Sequence, residues 1–290
     1  MSTISNIQLR YSRSKKEASE FEVDLHDLWF IFYQAAKNTV PESPLHDRLV
    51  LQIIQARELG PLRRGKASDA NIAMTSDGAI WTDLPFLPTD MVQFWSQDWA
   101  GMSLSQRLGF TTFLAKLASV GICNNKLSNA GLTVLRDALE TPRPLGKWGE
   151  SNADHPVGVS NDVTIAELLP CVNLWLYHAG HKLIQLAEDM WESDAGTSPA
   201  GELFRENASR GALSGGCSPG RWMFWLERLQ QIRREAYGAG DAQLAEYATK
   251  MVGNMLLMVE ERDSAVREKL QDSHEIVQEQ LMVQEFPPMQ

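Results

Sequence analysis

The run Gly216, Cys217, Ser218, Pro219, Gly220 carries the letters of the Gly-x-Ser-x-Gly nucleophile turn. That turn uses the backbone N–H after the serine as an oxyanion donor and needs a strand before it. Pro219 has no N–H and no strand pattern precedes it, so serine hydrolysis is excluded and a helix-opening turn is expected. Ser218 suits the N-cap and Pro219 the first helical position. Cys217 would then stand just before a helix N-terminus, where a thiolate is favoured. No signature supplies it with a base, so it reads as a small side chain in a turn.

The glycine-rich stretch 210–216 would let backbone amides face an anion, with Arg221 assisting. The Gly-Lys-Ser/Thr ending of a phosphate loop is missing, however. Arg221 is expected instead to pair with a carboxylate such as Asp83 or Glu140 and to fix its helix in register. Trp222 and Trp225 stand at i and i+3 on that helix, which takes it into the core. His178 and His181 are likewise three apart. No His-Glu-x-x-His or Glu-x-x-His pair exists, so no metal site and no cofactor are expected. Trp175, Trp222 and Trp225 would line an apolar pocket for a small apolar or aromatic ligand, oriented by His178 and Arg221. Aromatics at helical spacing are core more often than pocket. No acid, base and nucleophile converge, so no catalytic residue is assigned.

These residues need helices to hold them. Apolar residues recur at helical spacing from Leu25 to Ala36, from Leu45 to Ala56, and from Thr89 through Phe94, Trp95 and Trp99. Ser103 with Gln106, and Thr164 with Glu167, form capping-box signals for helices ending at Gly121 and near Trp191. A helix over 127–140 lies between them, and Pro170 implies a kink or a later start in the 164–191 helix. Helices over 219–237 and from Asp241 onward complete the set. The stretch 81–88 is broken by prolines. Residues 141–162, rich in Pro, Gly, Asn and Asp, read as a loop that is a lid or a subdomain seam.

The pattern predicts an all-α protein: a single irregular multi-helix domain of about eight to ten helices, with a long charged C-terminal helix. A disordered tail is expected over 1–20, the helical domain over 21–261, and an acidic helical extension over 262–290. In that extension Asp263, Glu268, Asp272, Glu275, Glu279 and Glu285 outnumber Arg262, Arg267 and Lys269. The net charge of −10 argues against nucleic-acid or anionic-membrane surfaces, and the basic Arg10, Arg13, Lys15 and Lys16 read as a solvated tail. No apolar run reaches the ~18 residues of a membrane span. Three scattered cysteines and no secretory leader point to a reducing compartment, the cytoplasm first and the nucleus second.

Five pieces in this order, WTDLP at 81–85, FTTFLA at 110–115, LRDALE at 135–140, WLYHAGH at 175–181 and RWMFW at 221–225, resemble a family. It is a family of uncharacterised all-helical proteins of filamentous fungi, classed as a domain of unknown function. The resemblance covers about 25–260 and implies a single all-helical domain in a fungal intracellular setting, and no activity. The leading functional reading is a non-enzymatic interaction or scaffold protein whose partner docks on the acidic C-terminal helix or on the 141–162 loop. The alternative is a small-molecule binding protein or enzyme with an aromatic pocket between the helices at 164–191 and 219–237.

Overall fold

Four of the described helices begin where a side chain satisfies a free N–H group of the first turn. In the computed structural model, Ser103 accepts the Gln106 N–H at 3.3 Å while the Gln106 carboxamide oxygen accepts the Ser103 N–H at 3.1 Å. Thr164 and Glu167 exchange the same pair of bonds at 3.3 and 3.0 Å. Ser218 and Asp241 cap through the N–H groups of Arg221 and Leu244.

The structure describes residues 3–64, 71–149, 163–192, 199–207, 216–261 and 266–267. Among them are ten α-helices and one short hairpin, so the fold is all-α. Internal contacts divide the chain into two compact units, Met1–Gly131 and Leu132–Gln290. The first holds α1 (Thr3–Arg13), α2 (Glu22–Lys37), α3 (Leu45–Glu58), α4 (Leu87–Asp98) and α5 (Leu104–Ser119). Its hairpin pairs β1 (Met74–Thr75) with β2 (Gly78–Ala79), antiparallel, Met74 opposite Ala79. The second holds α7 (Ile165–Glu188), α8 (Glu202–Asn207), α9 (Pro219–Gly238) and α10 (Ala242–Glu260). The division falls within α6 (Ser128–Leu135), not in the 141–162 loop. No helix of the described residues is long and apolar enough to cross a membrane.

Three local expectations need correction. The N-terminal stretch is helical: Ile7 and Tyr11 of α1 are buried, with Tyr11 edge-on to Phe21 at 5.6 Å. The few apolar positions among serines and arginines hid that face. Helix α4 starts at Leu87 rather than at Thr89, because Phe86 turns left-handed at φ 66° and ends the irregular segment there. Helix α7 runs unbroken from Ile165 with Pro170 inside, so the later start does not occur.

The described start of the long loop is tied down. The N–H groups of Ile165 and Ala166 donate to the carbonyls of Pro144 and Leu145. The Trp148 N–H donates to Asp241 at 2.7 Å, and its ring lies 4.4 Å from that of Tyr247. The rest of the expected lid, 150–162, lies outside the described residues, as does the acidic extension except for Val266 and Arg267.

In the first unit α5 packs closely on the end of α2. A Cβ on Gly109 would stand 2.2 Å from the Thr39 carbonyl oxygen and 2.9 Å from that of Ala36, both backbone atoms. Gly109→Ala should therefore cost about 1–3 kcal/mol by overpacking, read as a lower urea midpoint at unchanged helix content.

His46 is fully buried and donates Nε2–H to the Val40 carbonyl at 3.1 Å. Burial pushes its pKa below the usual 6.5, with the Val40 bond opposing and the Lys116 charge adding to the depression. The fold thus holds a neutral ring that the unfolded chain protonates. Its stabilisation is complete above the unfolded pKa of about 6.5 and is lost as pH falls below it. Urea unfolding between about pH 7 and pH 5 should show a steeper loss in the wild type than in His46→Gln.

Candidate functional site

Helix α6 continues into a π-turn, Arg136–Glu140, a rare form used in single turns. Its end is held by side chains: the Thr141 hydroxyl donates to the Arg136 carbonyl at 3.0 Å and Arg143 Nε to that of Asp137 at 2.5 Å. The last residue of the turn, Glu140, is fully buried, and so is Arg221 at 1% exposure. Arg221 Nε donates to Glu140 Oε1 at 2.6 Å and Nη2 to Oε2 at 3.0 Å, a bidentate pair. Trp225 Nε1 adds a bond to Oε1 at 2.6 Å, and the Gly201 N–H one to Oε2 at 2.7 Å. Four donors therefore cover both carboxylate oxygens. Arg221 Nη1 donates to the Gly216 carbonyl, so every guanidinium nitrogen is engaged. The rings of Trp225 and Phe204 lie 5.6 and 6.0 Å from its central carbon.

Two glycines let the backbone reach this pair. A Cβ on Gly201 would stand 2.5 Å from the Glu140 Cβ. Gly216, at φ 79°, turns left-handed, and a Cβ there would meet the Trp191 carbonyl oxygen at 2.3 Å.

Of the five residues expected to line a pocket, Trp222 and Trp225 are wholly buried on α9, with ring centroids 6.3 Å apart. Trp175 is wholly buried on α7. His178 is half-buried beside the exposed Tyr177, at 4.8 Å between ring centroids. Arg221 pairs with Glu140, one of the two partners expected; Asp83 instead accepts the Ala79 N–H at 2.8 Å within its own turn. The indole N–H groups of Trp175 and Trp222 find no acceptor among the described residues. Cys217 is buried, and burial pushes its thiol up to about 12, Arg221 opposing and Glu140 adding to the shift. It is a thiol at neutral pH, not a nucleophile. His181 lies 3.9 Å from Glu261. No group of three or more His, Cys, Asp or Glu among the described residues is placed to hold a metal.

One pairing escaped sequence reading. His26 on α2 and Asp90 on α4 meet at 2.7 Å, although 64 positions separate them. Asp90 sits behind the ring at 6% exposure, and burial raises its carboxyl pKa while the His26 bond and charge lower it. No spacing rule joins two residues on different helices, so only the fold reveals them.

The family described as "Protein of unknown function (DUF3632)" matches residues 29–229. The chain belongs to this family. It is also similar to "Oxopyrrolidines biosynthesis cluster protein G" of Penicillium oxalicum, 36% identical over 248 residues, which span 84% of this chain and 69% of that protein. No solved structure matches.

Within this DUF3632 chain the buried pair has an energetic signature that a ligand site would lack. Glu140→Gln leaves the Arg221 charge buried without its counter-ion and should cost about 3–5 kcal/mol. Replacing both residues by methionine should cost much less than the two single losses added together, because no ion is then stranded. A urea-denaturation double-mutant cycle measures the difference.

Proposed function

We propose that this protein is a helical interaction protein that serves small-molecule biosynthesis. One observation carries the reading: Arg221, the permanently charged member of the expected pocket, is spent on Glu140 and Gly216. With Trp225 also committed to Glu140 and Cys217 held as a thiol, the described residues around this pair offer a substrate little reactive chemistry. The likeness to a fungal biosynthesis cluster protein supplies the setting. The acidic stretch 262–290 supplies the docking element, suited by its charge to a basic surface on a partner protein.

A second reading rests on the buried indole N–H groups of Trp175 and Trp222, which lack acceptors among the described residues. A small apolar molecule with a carbonyl or hydroxyl oxygen would satisfy them.

Native mass spectrometry of the full-length chain, co-expressed with its neighbouring cluster proteins, separates the two. The interaction reading expects a protein complex that disappears when residues 262–290 are deleted, while circular dichroism stays helical. A reproducible small-molecule mass, lost on denaturation and indifferent to that deletion, would overturn it in favour of the pocket.

A further inference from the structure

The irregular segment 81–86 carries three non-glycine residues in the left-handed region: Trp81 at φ 70°, Leu84 at φ 52° and Phe86 at φ 66°. Each such residue is strained and persists only where its surroundings over-determine it. Here they do. Trp29 Nε1 donates to the Pro85 carbonyl at 2.8 Å, and Asp77 accepts the Phe86 N–H at 2.6 Å. The Asp90 N–H then donates to the Phe86 carbonyl at 2.8 Å, which fixes the first turn of α4. The held segment sets two groups around one imidazole: the Phe86 ring at 4.5 Å from that of His26, and the buried Asp90 carboxylate 2.7 Å from its Nδ1.

A carboxylate on Nδ1 fixes the tautomer, so Nδ1 carries the proton and Nε2 presents its lone pair. The His26 side chain is 48% exposed, and its Nε2 has no partner among the described residues. A buried carboxylate, an oriented imidazole and an open Nε2 make up the base and orienter of general base catalysis. We propose that His26 is a general base, with Asp90 as its positioning residue, for proton abstraction from a neutral small molecule bearing a weakly acidic C–H. This goes beyond the interaction reading and stands or falls independently of it.

The charged neighbours set the substrate class. Glu22 precedes His26 by one turn on α2, Asp77 lies in the hairpin turn close enough to raise the Asp90 pKa, and Asp90 faces the ring from α4. Three carboxylates repel an anion, whereas an uncharged molecule can approach. Phe30, one turn along α2 at 47% exposure and 5.7 Å from the Phe94 ring, gives a flat substrate an apolar face. In the step, Nε2 takes the proton, the C–H electron pair remains with the substrate, and Asp90 stabilises the imidazolium until the proton is returned. No oxidant or second substrate is needed.

The probe is 5-nitrobenzisoxazole, a neutral aromatic whose isoxazole C3–H is removed by a base as its N–O bond opens to a phenolate. The full-length protein should open it faster than free imidazole at equal concentration. His26→Gln, which keeps a hydrogen-bond donor toward Asp90, should remove about 100-fold or more of that rate, with circular dichroism checking that the variant stays folded. Asp90→Asn should lower kcat at unchanged KM, since the imidazolium loses its counter-charge; a change in stability alone would not lower the rate per folded molecule. A wild-type rate no greater than that of imidazole, or a His26→Gln rate equal to the wild type, overturns the proposal.

Discussion

The Glu140–Arg221 pair is the constraint on which the second unit depends. Removing two ions from water costs several kcal/mol each, and their attraction offsets this only when geometry is good and the remaining hydrogen-bonding capacity is met. Both conditions hold. The guanidinium grips the carboxylate with two nitrogens, an indole and a backbone amide complete the shell, and a carbonyl takes the third nitrogen. Such a pair tolerates little displacement, so it fixes the register of α9 against the π-turn and brings Gly201, at the start of α8, up to the carboxylate.

The same arrangement explains why tryptophans crowd this region without forming an evident reaction centre. Trp225 is there as a donor as much as an apolar body, since its N–H completes the Glu140 shell. Phe204 and Trp225 offer ring faces to the guanidinium and keep it dry. Cys217 belongs to this structure too: its N–H donates to the Trp191 carbonyl at 2.7 Å, and its sulfur lies 3.5 Å from the Leu183 carbonyl oxygen. Groups that resemble a site in the sequence therefore act as the joinery of a core.

How much of this was legible follows from how local each signal is. Ser103, Thr164, Ser218 and Asp241 act on N–H groups three residues away, so the helices they start could be read from the chain. The need of Arg221 for a carboxylate was legible from its place beside buried tryptophans. Which carboxylate it takes was not, because Glu140 lies 81 positions away and only packing decides between it and Asp83. The His26–Asp90 pair shows the same limit more sharply, since neither residue sits in a motif. Helix α1 is not legible for another reason: Ile7 and Tyr11 are too few to stand out among polar neighbours, and Tyr11 is covered by Phe21 and by Arg64, whose guanidinium lies 4.4 Å from its ring.

Hydrogen exchange at side-chain N–H groups bears most directly on the claim that the Arg221 cluster is internal structure. The Trp225 indole N–H and the Arg221 Nε–H can be followed by NMR in deuterated buffer. The expected result is protection equal to that of the slowest backbone amides of α9, so that both exchange only on global unfolding. Rapid exchange of either group in the folded protein, with the α9 amides still protected, would mean that the cluster opens to solvent, and the structural account of it would be wrong.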